Sequence, residues 1–248
     1  MIKGSVFVLL TAAFFLSCGI EESYYLPQVS QGSIIRTFNT EATINFPSID
    51  SFYYSDSYTI YYKIYISSQN ESGDFSSDPT TMRNVNSQLA NDFNAIYPSS
   101  DPLNTTATVN VENLFRGRGY YELDLHTADL RNKLTKNGGT LILSFPTAAG
   151  SYPVAIINNE ELNLYRSKNL ISPRPTDNCF FLYSTELSDS ANAVTNINAD
   201  VNVSASTTGT GFAYVSMYIV AVGMNPTVFT PIYSKPTHIN IFRLPNAN

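Results

Sequence analysis

The residues best suited to chemistry lie in the run Glu122-Leu123-Asp124-Leu125-His126. Alternate side chains of a strand share a face, so Glu122, Asp124 and His126 would project together while Tyr121, Leu123 and Leu125 pack inward. Two carboxylates and an imidazole are a donor set for a divalent metal, or for acid–base catalysis. One solvated face of an amphipathic strand produces the same alternation, and metal sites usually draw ligands from more than one segment. The solvated strand is the reading adopted. No catalytic set, metal or cofactor is expected, and the alternative is a metal-dependent hydrolase built on Glu122, Asp124 and His126.

Other constellations point the same way. Arg116-Gly117-Arg118-Gly119 reads as a turn displaying two arginines, although paired guanidinium groups can also grip a carboxylate or phosphate. Glu71, Asp74 and Asp78 lack the ligand spacing and terminal Glu of an EF-hand, and read as an exposed loop. The chain has no Gly-x-Ser-x-Gly, no Gly-x-Gly-x-x-Gly and no P-loop. Histidine occurs only at His126 and His238, so a catalytic thiol at Cys179 has few partners to draw on. Cys179, in Asn178-Cys179-Phe180-Phe181-Leu182-Tyr183, reads instead as a small apolar residue of a buried strand. The tyrosines Tyr53, Tyr54, Tyr61 and Tyr65 are candidates for a recognition surface if an edge strand leaves their rings outside, but core filling in a tryptophan-free chain is the simpler reading for most of them.

The elements that must carry these residues are mostly strands. Ile34–Phe38, Ala42–Phe46, Thr140–Phe145, Val154–Ile157 and Leu162–Tyr165 are short β-type runs bounded by turn residues, with Asn158-Asn159 suited to a hairpin turn. Further strands are expected at Ala107–Val111 and Tyr120–Leu125, and a helical turn at Ala128–Leu134. The segment 57–67 alternates, with Tyr58, Ile60, Tyr62, Ile64 and Ile66 as the more apolar, inward face. Gly211–Gly223 is apolar on both faces, the pattern of a central strand. Met82, Val85, Leu89, Phe93 and Ile96 fall at helical spacing ahead of Pro98 and predict a single helix.

The first residues carry a different signal. Lys3 is the only charge before Cys18, and an apolar run from Val6 to Leu16 follows it. Such a run has the length of an export-signal core and is short of the roughly 20 residues needed to span a bilayer. Phe15-Leu16-Ser17-Cys18 resembles the lipobox of bacterial lipoproteins, in a relaxed form similar to that of spirochaetes, and Cys18–Pro27 is similar to the start of treponeme-type lipoproteins. The resemblance implies cleavage before Cys18 and acylation, palmitate included, of that cysteine. Several acyl chains on one residue anchor a protein stably without a transmembrane helix. The expected partner is therefore a membrane, reached through lipid on Cys18, and the expected address is the cell envelope, the outer membrane ahead of the inner.

Composition agrees. Loss of residues 1–17 removes only Lys3 and takes the net charge from −6 to −7, which excludes a basic footprint for nucleic acid. The expected organisation is a signal peptide at 1–17, a flexible tether at 18–31 and a β-sandwich at 32–248, either one enlarged domain or two packed sub-domains. Met217, Ile219 and Ala221, followed by Ser234-Lys235-Pro236-Thr237 and a last strand His238–Phe242, resemble the closing strands of a fibronectin type III or immunoglobulin-like sandwich. The segment 57–67 is similar to the third strand of that family. The resemblance implies a mainly β, enlarged immunoglobulin/fibronectin III-like sandwich with one inserted helix. Its expected role is binding or envelope architecture, with a protein or glycan partner, and not catalysis.

Overall fold

A computed structural model describes residues 26, 28–46, 55–67, 70–71, 78–96, 111–123, 138–148, 151–166, 180, 201–203 and 212–244. The architecture is mainly β: two sheets face each other, and helices cover the outer face of one of them. The first sheet joins β1 (Ile34–Thr37), β2 (Glu41–Phe46), β5 (Gly139–Ser144), β6 (Val154–Ile157) and β7 (Glu160–Asn163) in the order β1-β2-β5-β6-β7. Every pair is antiparallel. The turn between β6 and β7 is Asn158-Asn159, with φ of 48° and 70°. Both central residues of a two-residue hairpin turn with the sheet's twist must take positive φ, which asparagine tolerates.

The second sheet is built on two long strands, β3 (Ser55–Ser67) and β9 (Phe212–Met224), paired antiparallel along their length. On its other edge β9 pairs with β10 (Pro231–Tyr233) near its end and with β11 (Thr237–Arg243) near its start. The other edge of β3 is shared by β4 (Tyr121–Glu122) and by β8 (Val201–Val203), which runs parallel to it. Thus β3, β9 and β11, the pieces that carry the fibronectin-like resemblance, stand side by side.

One face of β3 and β9 makes the sandwich core. Tyr62, Ile64, Val215 and Met217 are buried in one cluster with Ile44, Leu141, Leu143 and Ile157 of the first sheet. Burying side chains of this size contributes about 1.5–3 kcal/mol each. Phe145 stacks on Phe242 at 4.2 Å, and Phe180, the neighbour of Cys179, meets Tyr62 edge-on at 4.9 Å. Cys179 itself lies outside the described residues.

Three short helices lie on the opposite face: α1 (Pro79–Val85), α2 (Ser87–Ile96) and α3 (Val111–Arg116). The single helix predicted over 82–96 is therefore two. Asn86 makes the break: its backbone is extended, and its side-chain oxygen accepts from the Gln88 and Leu89 amides (2.9 and 3.3 Å), capping α2. Its side-chain amide donates to the Ile66 carbonyl on β3 at 3.0 Å, fixing the break to the sheet. A side chain that bonds the backbone locally favours a helix start over continuation. Asp78 caps α1 in the same way, accepting from the Thr80 amide at 2.9 Å with Pro79 in the first turn.

Other expectations change. Val111, placed at the end of a strand, begins α3, and of the strand expected from Tyr120 to Leu125 the described residues pair with β3 at Tyr121 and Glu122, with the Leu123 amide donating to the Ile60 carbonyl. Packing also reaches back into the segment expected to be a flexible tether. Leu26 and Val29 are buried, the Gln28 side chain donates to the Pro236 carbonyl (2.7 Å), and Thr237 Oγ1 donates to the Val29 carbonyl (2.6 Å). Residues 128–134 lie outside the described part.

Candidate functional site

Of the predicted triad only Glu122 lies among the described residues; Asp124 and His126 fall outside them. Glu122 is exposed and sits opposite Tyr61 of β3, on the helix-covered side of the sheet. The phenol of Tyr61 is raised above the usual tyrosine range by burial and then by the nearby Glu122 carboxylate. Among the described residues no group of three or more histidine, cysteine or acidic side chains is arranged to hold a metal.

The two arginines of the glycine-rich turn have local employment. Arg116 pairs with Glu112 one helical turn earlier at 2.7 Å, with both side chains well exposed, and Arg118 donates to the Leu114 carbonyl. Gly119 takes φ 70°, where glycine carries no Cβ penalty, and so lets the chain turn out of α3. This turn also presents the Arg118 carbonyl to the interior.

That carbonyl belongs to a buried polar cluster between β3, β9 and the helices. Lys63 is buried at the middle of β3 and donates to Asp92 of α2 at 2.8 Å and to the Arg118 carbonyl. Asp92 also accepts from Tyr65 at 2.7 Å and from Gln88 at 2.8 Å. The Tyr65 hydroxyl meets that of Tyr120 at 2.9 Å, and Tyr120 reaches Ser216 of β9 at 3.5 Å. The Lys63 ammonium stands 5.2 Å from the ring of Tyr65 and 5.7 Å from that of Tyr120. Burial is the main force raising the phenols of Tyr65, Tyr120 and Tyr218, with Asp92 adding to it, so all three are neutral at ordinary pH.

This cluster has the residue types of an active site but the connectivity of a joint. Lys63 faces Asp92, both Asp92 oxygens are occupied, and Tyr61, Phe115 and Tyr218 cover it with stacked and tilted rings. The arrangement locks α2 and α3 onto β3. Tyr61 and Tyr65, read from sequence as candidates for exposed rings on an edge strand, are buried in it because β3 is central and helix-covered. Tyr53 and Tyr54 lie outside the described residues.

The solvent-facing candidate is the tip joining β9 to β10. Met224, Val228 and Phe229 are among the most exposed large apolar side chains, Phe229 at 75%. The Asn225 side chain accepts from the amides of Thr227 (2.9 Å) and Val228 (3.3 Å). Phe229 donates to the Asn225 carbonyl at 2.8 Å, and Asn225 donates to that of Thr230 at 2.9 Å. These bonds hold Phe229 at φ 53°, a left-handed conformation that costs a non-glycine residue about 1–2 kcal/mol. This tip falls between the strand expected at Gly211–Gly223 and Ser234-Lys235-Pro236-Thr237, a stretch to which the sequence reading gave no role. The available signal was Pro226-Thr227-Val228-Phe229-Thr230-Pro231, two bulky apolar residues between prolines in an uncharged stretch.

Fold and surface thus define a two-sheet β-sandwich with a helical cover, an internally closed polar joint and an exposed apolar tip. Compared with family models, curated proteins and solved structures, the chain matches none.

Proposed function

We propose that this protein is a lipid-anchored lipoprotein of the cell envelope that works as a binding or structural module. The observation that carries this reading is Lys3, the apolar run Val6–Leu16 and Ser17-Cys18, which together supply export, cleavage and acylation in the right order. Two further features support it. Lys63 and Asp92 are consumed in holding a helix to a sheet, and three of the exposed bulky apolar side chains, Met224, Val228 and Phe229, gather at one tip. Among the described residues no helix is long and apolar enough to cross a membrane.

Detergent phase separation of whole cells expressing the native chain or Cys18→Ser tests the proposal. The native protein should enter the detergent phase, and Cys18→Ser should leave it or remain uncleaved. A Cys18→Ser protein that stays processed and in the detergent phase refutes the anchor.

A further inference from the structure

We infer that the β9–β10 tip, Met224 to Thr230, is a second membrane contact that rests in the interface of a zwitterionic phospholipid bilayer. The inference builds on the proposal of a lipid on Cys18. Its first ground is composition: no charged residue occurs between Asp200 and Lys235, and the tip displays Met224, Val228 and Phe229 to solvent. Its second is backbone chemistry. A segment leaving water must satisfy its own N–H groups. Here those of Asn225, Thr227, Val228 and Phe229 are bonded within the tip, and Pro226 and Pro231 have none. These four amides therefore need no new partner when the tip leaves water.

The third ground is position. The N-terminal segment follows the start of β11 residue by residue: Gln28 bonds to Pro236, Val29 to Thr237, and Gln31 to His238. Followed backwards toward Cys18, this segment therefore runs toward the end of the sheet that carries the tip. Thr237 is level with Ile219, five residues short of Met224, a distance of about 17 Å at ~3.3 Å per residue. The ten residues from Cys18 to Gln28 reach at most about 35 Å, so a lipid on Cys18 would hold the tip within range of the same bilayer. Tethering at that range makes a weak apolar contact sufficient, because the second event is intramolecular.

The other exposed phenylalanine helps to define the choice. Phe38, at φ 40° in the β1–β2 turn, is flanked by Arg36 and Glu41, and its turn contacts Asn240 and Arg243 at the far end of β11. It lies at the end of the sandwich away from the tip. The chain's net negative charge sets the lipid class, since anionic headgroups would repel the domain.

The sequence contains no tryptophan, so Phe229→Trp in the full-length, lipidated chain is a unique reporter. Tyr152→Trp is the control: it is exposed and precedes β6, at the end of the first sheet held by the β1–β2 turn. Each variant is reconstituted into phosphatidylcholine vesicles, with and without bromine on the acyl chains, and flotation is scored alongside. The inference predicts that Phe229→Trp emission moves to shorter wavelength and is lost in brominated vesicles, while Tyr152→Trp emission changes in neither respect. Flotation with a water-like, unquenched Phe229→Trp overturns the tip contact and leaves the anchor standing. A blue shift without bromine quenching also overturns it, because the tip is then covered by protein. Failure of the lipid-extracted native chain to float overturns the anchor itself.

Discussion

The two faces of β3 and β9 use the same backbone to opposite ends. On the face toward the first sheet, Ile60, Tyr62, Ile64 and Ile66 of β3 meet Val215, Met217 and Ile219 of β9 in a core dominated by apolar side chains. On the other face Tyr61, Lys63 and Tyr65 oppose Tyr214, Ser216 and Tyr218, and Lys63 and Tyr65 are bonded to Asp92 of α2. Apolar burial is non-directional, so the first face supplies cohesion. Hydrogen-bonded charges tolerate only one geometry, so the second face specifies where short helices dock that would not be stable alone.

The comparison breaks hardest at Asp92. Asp92→Ala leaves Lys63 buried without its counter-charge and should cost about 3–5 kcal/mol in urea unfolding. The double variant Lys63→Met/Asp92→Leu should recover most of that loss, because neither charge then remains to be compensated. A cost for Asp92→Ala below about 1 kcal/mol would deny the joint its role, since that is what an exposed pair contributes. Ile64→Ala, on the cohesive face, should cost about 2–5 kcal/mol, with no partner substitution able to restore it.

Alkaline titration separates the faces more gently. Tyr65, Tyr120 and Tyr218 keep their protons in the folded protein above the pH at which unfolded phenols ionise. Their folded pKa values are raised, so their contribution is intact below about pH 10 and falls as pH climbs from there toward the folded values. Each such tyrosine should lower stability by about 1.4 kcal/mol per pH unit in that window. Absorbance at 295 nm should show a class of phenols that ionises only with cooperative unfolding. If all 17 tyrosines titrate smoothly in the folded chain, these three are not buried as described.

The smallest effects lie outside both faces. Asn159→Ala, at φ 70° in the β6–β7 turn, should cost about 1 kcal/mol, and Asn159→Gly close to nothing, by thermal melting. Glu122→Gln should stay within about 0.5 kcal/mol of the native chain, as for an exposed side chain.

What could be read from the sequence follows from range. The patterns in 57–67 and 211–223 are local, and they assigned the inner face of β3 and the central place of β9 correctly. Asn158-Asn159 is local too, and the hairpin stands where it was expected. Asn86, polar at a position the apolar spacing skips, broke the predicted helix through a bond to Ile66, twenty residues away. The Lys63–Asp92 joint spans 29 residues, and its signals were a lone lysine in an apolar strand and an aspartate on the buried stripe of α2. Neither residue says which cation meets which anion. Tyr61 and Tyr65 are core residues, as the simpler reading had it, but nothing within 57–67 states that helices from 79–116 are what cover that face.

The account turns on Cys18, which would make the sandwich a tethered module and bring its apolar tip to a bilayer. The most direct test is the mass of the N-terminal peptide of the protein purified from membranes. The prediction is a chain beginning at Cys18, with residues 1–17 gone and acyl chains on that cysteine. A mature N-terminus elsewhere, or an unmodified Cys18 in membrane-bound protein, would contradict it.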